Sequence, residues 1–357
     1  MISIGETIGG RYEVVAHVGR GGMQEVYRAY DKLLGINVAL KTPQTVQSAK
    51  RFKASAQVAA KVNHYNIAKT LDYFVEGNAE YLIEEFIDGE TLDQKQQKLG
   101  ILDPHLGARV LHHLAKGVAA SHRVNVVHRD LKPSNVMTAK GVNVHRLKIT
   151  DFGIATLTKE VFDDAAEQGD ITLSNSGTIK GALPFMAPEM MFRQPGESPG
   201  KSVDIWSIGA MMFKLLTGEY PFGVYLTAAV NVQAKKREPW PEFMTGNTQL
   251  APLARELQSV IDKCLEYAPE NRPDANDIVG MCEELCYLAV ERHTGSVSNL
   301  IQNNYSGFIS GGETTFFSME SVYGTRRPNL DNNRRVCYSS FPGSPRPRAH
   351  PVIVIDE

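Results

Sequence analysis

Two short segments bring together side chains whose types and spacing could do chemistry. His128-Arg129-Asp130-Leu131-Lys132-Pro133-Ser134-Asn135 offers a carboxylate, an ammonium and a carboxamide close together, and Asp151-Phe152-Gly153 follows with a second carboxylate. Upstream lies Gly19-Arg20-Gly21-Gly22-Met23-Gln24, where missing Cβ atoms let backbone amides approach phosphate oxygens. Val38-Ala39-Leu40-Lys41 comes next and ends on a compact cation suited to phosphate. Alone, a glycine-rich turn between strands is most often only a turn, and a lysine at a strand end is usually solvated. Their order ahead of the two carboxylate segments is what matters, because together they supply the parts that phosphoryl transfer needs.

These residues must be positioned by structure, and the pattern changes along the chain. Over residues 11–82 short β-type runs dominate: Tyr12-Glu13-Val14-Val15, Glu25-Val26-Tyr27-Arg28-Ala29, Val38-Ala39-Leu40-Lys41 and Tyr81-Leu82-Ile83, separated by turn residues. One helix interrupts them, with Phe52, Ala56, Ala59 and Val62 on one side. From Asp88 onward helices take over. Leu111, Leu114, Ala115, Val118 and Ala119 form a stripe that leads into His128, and the run 205–216 is apolar nearly all round before Gly218. The expected class is therefore α+β, a small sheet with one main helix followed by a larger helical part.

At this point the chain resembles a eukaryotic-type protein kinase, and Gly-Arg-Gly-Gly-Met-Gln-Glu-Val-Tyr at 19–27 has the wording of its bacterial serine/threonine members. Met186-Ala187-Pro188-Glu189, Asp204-Ile205-Trp206-Ser207-Ile208-Gly209 and Asn271-Arg272-Pro273 agree with it. The resemblance covers roughly residues 11–292. It implies a bilobal protein-kinase-like fold: a lead at 1–10, an N-lobe at 11–87, a C-lobe at 88–293, and a mostly irregular tail at 294–357. It also implies ATP and Mg²⁺ as cofactors and a protein substrate. Asp130 would accept or orient the proton of the substrate hydroxyl, Lys132 would steady the transferring group, and Lys41 would hold the α- and β-phosphates. Asn135 and Asp151 would bind the metal, with oxygen donors that suit hard Mg²⁺. Gly19, Gly21 and Gly22 would cover the nucleotide, Val26, Ala39 and Met137 would sandwich the adenine, and the backbone from Glu85 to Ile87 would bond its edge. Arg272 would pair with Glu189, Asp204 would anchor the catalytic loop, and Arg129 would receive a phosphate from the activation segment. Thr172, Ser174, Ser176 and Thr178 are the candidate acceptors there, although for any one of them the plainer reading is a polar loop residue.

Four positions depart from the family pattern. Ser55 stands where a helix glutamate pairs with the nucleotide lysine, and residues 43–71 contain no Asp or Glu. Glu84 occupies the gatekeeper position, usually apolar; a buried carboxylate needs a partner, so Glu84 is expected to reach Lys41 in place of the missing helix glutamate. Gln24 replaces the third loop glycine, and Ala182 replaces a threonine that would contact the catalytic Asp and Lys. The alternative to an active kinase is a pseudokinase that binds nucleotide and works as a scaffold. A small-molecule kinase is a third reading, opposed by the peptide-binding surface that the Met186-Ala187-Pro188-Glu189 region implies.

The 357 residues carry a formal net charge of -2, which gives no bulk electrostatic reason for nucleic-acid or acidic-membrane binding. The N-terminus lacks the pattern of a secretory signal and no run is apolar long enough to span a bilayer, so the expected location is cytoplasmic. Four cysteines, none in a Cys-x-x-Cys pair, indicate neither a disulfide framework nor zinc. The tail nevertheless contains Phe308, Phe316, Phe317, Met319 and Tyr323, enough apolar anchors for part of it to dock on the lobes or on a partner.

Overall fold

The computed structural model describes residues 2–20, 24–44, 46–152, 181–193, 197–302, 304–324 and 330–355. The chain starts with β1 (Thr7–Ile8), β2 (Tyr12–Arg20), β3 (Gln24–Asp31) and β4 (Ile36–Pro43), continues through α1 (Val46–Ala59), and returns as β5 (Thr70–Glu76) and β6 (Ala79–Glu85). These strands form a six-stranded antiparallel sheet in the order β1-β2-β3-β4-β6-β5. Alternation along each strand gives the sheet two faces. Val38 and Leu40 join Ile8, Tyr12, Tyr27, Ala29, Tyr81 and Ile83 in one apolar cluster, which turns Ala39 and Lys41 to the opposite face.

Register then decides what Lys41 meets. Val26 lies opposite Lys41, and Glu84 lies opposite Ala39, one pleat away on the same face. Such diagonal neighbours are separated by about 7–8 Å, within reach of two long side chains. On that face α1 packs Phe52 and Ala56 against Leu82.

The second part holds β7 (Gly89–Thr91), α2 (Leu92–Leu99), α3 (Pro104–Arg123), β8 (Val136–Ala139), β9 (Lys148–Ile149), α4 (Ser202–Thr217), α5 (Tyr225–Gln233), α6 (Ala251–Cys264) and α7 (Ala275–Glu284). Asp103 starts α3 by accepting from the backbone N–H groups of His105 and Leu106, with proline at the first helical position. Helix α4 is buried on almost every side, as its all-round apolar run requires. It stops at Gly218, whose left-handed φ of 84° lets its N–H cap Lys214 O at 2.8 Å. The two-part α+β arrangement expected from the sequence is the one observed.

The tail is different from the expectation of a mostly irregular segment. It forms β10 (His293–Ile301), β11 (Ser306–Ser310), β12 (Thr315–Ser318), β13 (Val322–Tyr323), β14 (Arg335–Phe341) and β15 (Arg348–Val354). The sheet order is β12-β11-β10-β14-β15-β13, and β12 also pairs with β15 at Phe316 and Arg348, which curls the sheet into a small closed barrel. Val297, Ile309, Phe317, Leu330, Val336, Tyr338, Ala349 and Val352 fill it. The pattern is hard to read because Ser306, Thr315 and Ser339 share the buried positions. Register shifts between Val297 and Asn299 and between Tyr338 and Ser340 also break the alternation.

The barrel is seated on the helical lobe. Tyr323 is buried with Ile101 and Leu250, and Phe243 packs alongside. Asn247 Nδ2 donates to the carbonyls of Glu320 at 2.7 Å and Val322 at 3.3 Å. At the entry to the barrel Arg292 meets Asp103 at 2.7 Å, with side-chain exposures of 4% and 0%. Removing one partner of a buried pair leaves the other charge uncompensated, so Arg292→Leu is expected to lower stability by about 3–5 kcal/mol. Chemical denaturation of the full chain measures this; an unchanged midpoint would show that the pair does not hold the barrel to the lobe.

Candidate active site

A cleft of about 690 Å³ lies between the sheet and the helical lobe. Gly19, Val26, Ala39, Lys41, Glu84, Glu85, Ile87, Met137 and Asp151 line it, so these expected nucleotide and metal residues share one cavity. Gly21, Gly22, Gly153, Thr172, Ser174, Ser176 and Thr178 lie outside the described residues. Alternation in β3 and β4 puts Val26 and Ala39 on the roof, and β8 brings Met137 up from below. Glu85 donates its own N–H to Lys69 O at 2.8 Å, and its carboxylate accepts from Lys148 Nζ at 2.8 Å, which fixes the strand connecting the two lobes.

Beneath the roof Lys41 joins two carboxylates. Its Nζ lies 2.5 Å from Glu84 Oε2 and 2.7 Å from Asp151 Oδ1. Glu84 is only 5% exposed, which rules out a solvated side chain and matches the expectation that it reaches Lys41. Burial pulls the Lys41 ammonium down, but Asp151 and Glu84 outweigh that and hold it above its ordinary value. Burial pushes the Asp151 carboxyl up, and Lys41 with a hydrogen bond from Gln24 overcomes this and keeps it below the usual range. For Glu84 burial wins, and its carboxyl is raised despite Lys41.

The catalytic loop is held from two sides. Asp204, projecting from α4, accepts from the backbone N–H of His128 at 2.8 Å and of Arg129 at 2.7 Å, as expected, while His122 Nε2 lies 2.8 Å from the same carboxylate. These bonds hold Arg129 at a left-handed φ of 61°, a conformation costly for a residue with a Cβ. His128 Nε2 sits 2.9 Å from Thr150 O, and its ring meets Phe152 edge-on at 4.6 Å, tying the loop to the metal turn. Arg272 and Glu189 form the expected pair through two bonds of 2.6 and 3.0 Å. Arg129 Nη2 donates to Ser198 Oγ at 3.1 Å and Pro199 O at 3.2 Å.

Within that loop Asp130 is 6% exposed and directed by its neighbours. Lys132 Nζ lies 3.0 and 2.9 Å from its two carboxylate oxygens, and Asn135 Nδ2 donates to Asp130 Oδ2 at 3.0 Å and Asp130 O at 2.8 Å. With its nitrogen used in this way, Asn135 has its amide oxygen left to offer. That oxygen and the ionised carboxylate of Asp151, which lines the cleft, are hard donors of the kind Mg²⁺ takes. The arrangement has what a phosphoryl transfer needs: a roof for the base, a charged lysine, oxygen donors for a cation, and an oriented carboxylate.

Sequence reasoning overlooked one contact. Gln24 Nε2 donates to Asp151 Oδ1 at 2.9 Å. The available signal was the alternation of β3, which puts Gln24 on the same face as Val26.

Comparison with known proteins agrees with this geometry. Residues 12–281 match the protein kinase domain family. The serine/threonine-protein kinase PrkC of Bacillus subtilis is 31% identical over 224 residues, 61% of this chain and 32% of its own length. A probable serine/threonine-protein kinase of Streptomyces coelicolor is 31% identical over 78% of this chain and 40% of its own length. PknA of Mycobacterium tuberculosis, another serine/threonine-protein kinase, is 31% identical over 71% of this chain and 57% of its own length. The chain thus spans between a third and somewhat over half of these relatives.

Proposed function

Since the chain belongs to the protein kinase family, we propose that it transfers the γ-phosphoryl group of ATP to serine or threonine hydroxyls of protein substrates. Asp130 takes or orients the hydroxyl proton, Lys132 follows the transferring group, and Lys41 holds the α- and β-phosphates. Asn135 and Asp151 hold Mg²⁺, which when bound neutralises charge on the phosphate oxygens. Glu84 stands in for the helix glutamate and keeps Lys41 in place. The use of ATP argues for a cytoplasmic setting; among the described residues no helix is long and apolar enough to cross a membrane.

One observation carries the reading: Asp130 is buried yet aimed by both Lys132 and Asn135. A nucleotide-binding scaffold would need Lys41 and the cleft, but it has no use for that alignment. Gln24 keeps a contact with the site, donating to Asp151 Oδ1 at 2.9 Å. The test is to incubate the pure protein with Mg²⁺, γ-labelled ATP and casein, then analyse phospho-amino acids. Phosphoserine or phosphothreonine above the background of Asp130→Asn is expected; label no higher than that variant would favour the scaffold.

A further inference from the structure

Gln24 stands where the family resemblance leads one to expect glycine, and its side chain does something glycine cannot. It is 8% exposed and opens β3, opposite Pro43, two residues before Val26 on the cleft face. From there its Nε2 donates at 2.9 Å to Asp151 Oδ1, the same oxygen that Lys41 Nζ meets at 2.7 Å. Gln44 Nε2 donates to Gln24 O at 3.0 Å and so steadies the backbone from which the amide reaches. The other carboxylate oxygen, Asp151 Oδ2, accepts from Thr150 Oγ1 at 3.3 Å, a longer and weaker bond.

Asp151 needs such support. Its φ of 61° is left-handed, a region that Asp visits when its short side chain is hydrogen-bonded, so the orientation that turns the carboxylate into the cleft depends on those bonds. Two donors on Oδ1 hold it there. One is Lys41, which also serves Glu84 and, in the proposed function, the nucleotide. The other is Gln24, which has no such competing task.

We infer that Gln24 is a positioning residue: its carboxamide holds Asp151 turned into the cleft, keeps Oδ1 occupied, and presents Oδ2 to a divalent cation. It also fastens the start of β3 to the floor of the cleft. The inference rests on the proposed kinase reading only in taking Asp151 as a cation ligand.

The test compares wild type, Gln24→Met and Asp151→Asn as full-length protein. Methionine keeps the length and bulk of glutamine but has no donor, so a packing role would survive the change and a hydrogen-bonding role would not. Mn²⁺ is titrated in the presence of a non-hydrolysable ATP analogue and followed by its spin resonance signal. Metal-free affinity for the same analogue and the thermal unfolding midpoint are measured in parallel. Gln24→Met is expected to weaken Mn²⁺ binding about tenfold, the equivalent of one charge-assisted hydrogen bond, with metal-free nucleotide affinity unchanged and the unfolding midpoint lowered only slightly. Asp151→Asn is expected to weaken it further. If Asp151→Asn loses Mn²⁺ and Gln24→Met does not, the role of Gln24 is overturned while the kinase reading stands. If Asp151→Asn binds Mn²⁺ like wild type, the cation-ligand assignment falls and the role of Gln24 falls with it.

Discussion

Asp130→Asn is expected to bind ATP close to wild-type affinity and to transfer phosphoryl about a thousandfold more slowly, within the range a positioned general base contributes. The nucleotide's roof and phosphate lysine are built from β3, β4 and β6, none of which Asp130 touches in the contacts described. The loss falls on the chemical step. Asp130 presents two acceptor oxygens to three donating contacts, from Lys132 and Asn135. An asparagine there turns one acceptor into an NH₂ group facing those donors, so both the base and its alignment are lost together. Single-turnover transfer from γ-labelled ATP, read beside nucleotide affinity from a fluorescent analogue, separates the two effects. Transfer at the wild-type rate would remove Asp130 from the chemistry.

The second large effect belongs to Glu84. Glu84→Gln is expected to raise the KM for ATP, lower kcat, and reduce kcat/KM by about two orders of magnitude, the kinetic equivalent of roughly 3 kcal/mol. Family members hold the nucleotide lysine with a glutamate from the helix after it, but α1 reads Val-Gln-Ser-Ala-Lys-Arg-Phe-Lys-Ala-Ser-Ala-Gln-Val-Ala and has no acidic residue to offer. The sheet supplies one instead. In the neutral variant the Lys41 ammonium keeps only Asp151 among the two carboxylates it now bridges. It is then drawn toward the carboxylate that the cation needs, and the phosphate site and the metal site are disturbed at once. The lost anchor predicts a further property: because Glu84 sits in a strand, the placement of Lys41 does not depend on the position of α1.

Much of this was legible in the sequence, and what was legible has a common cause. The catalytic loop and metal turn are read from contiguous residues, since Asp130, Lys132 and Asn135 act on one another within a single loop. The Lys41–Glu84 contact was expected from the absence of acid between residues 43 and 71 together with a carboxylate at the gatekeeper position, where the resembled family mostly has an apolar residue. The Gln24–Asp151 bond spans 127 positions, so the alternation of β3 gives the face on which Gln24 lies but not the partner it meets. The barrel was hidden for another reason. Its strands are short, Ser306, Thr315 and Ser339 share the interior with the apolar residues, and two register shifts reverse the alternation partway along β10 and β14. Of the apolar anchors expected to dock part of the tail on the lobes or on a partner, Tyr323 lies against the helical lobe, whereas Phe317 lies inside the barrel that the sequence did not reveal.

The claim that Glu84 positions Lys41 in a working site is tested most directly by a double-mutant cycle on ATP affinity in the presence of Mg²⁺, using wild type, Lys41→Met, Glu84→Gln and the double variant. If Glu84 acts through the lysine, Glu84→Gln weakens binding in the wild-type background and has no further effect once Lys41 is methionine. The same loss in both backgrounds, or no loss in the first, would contradict it.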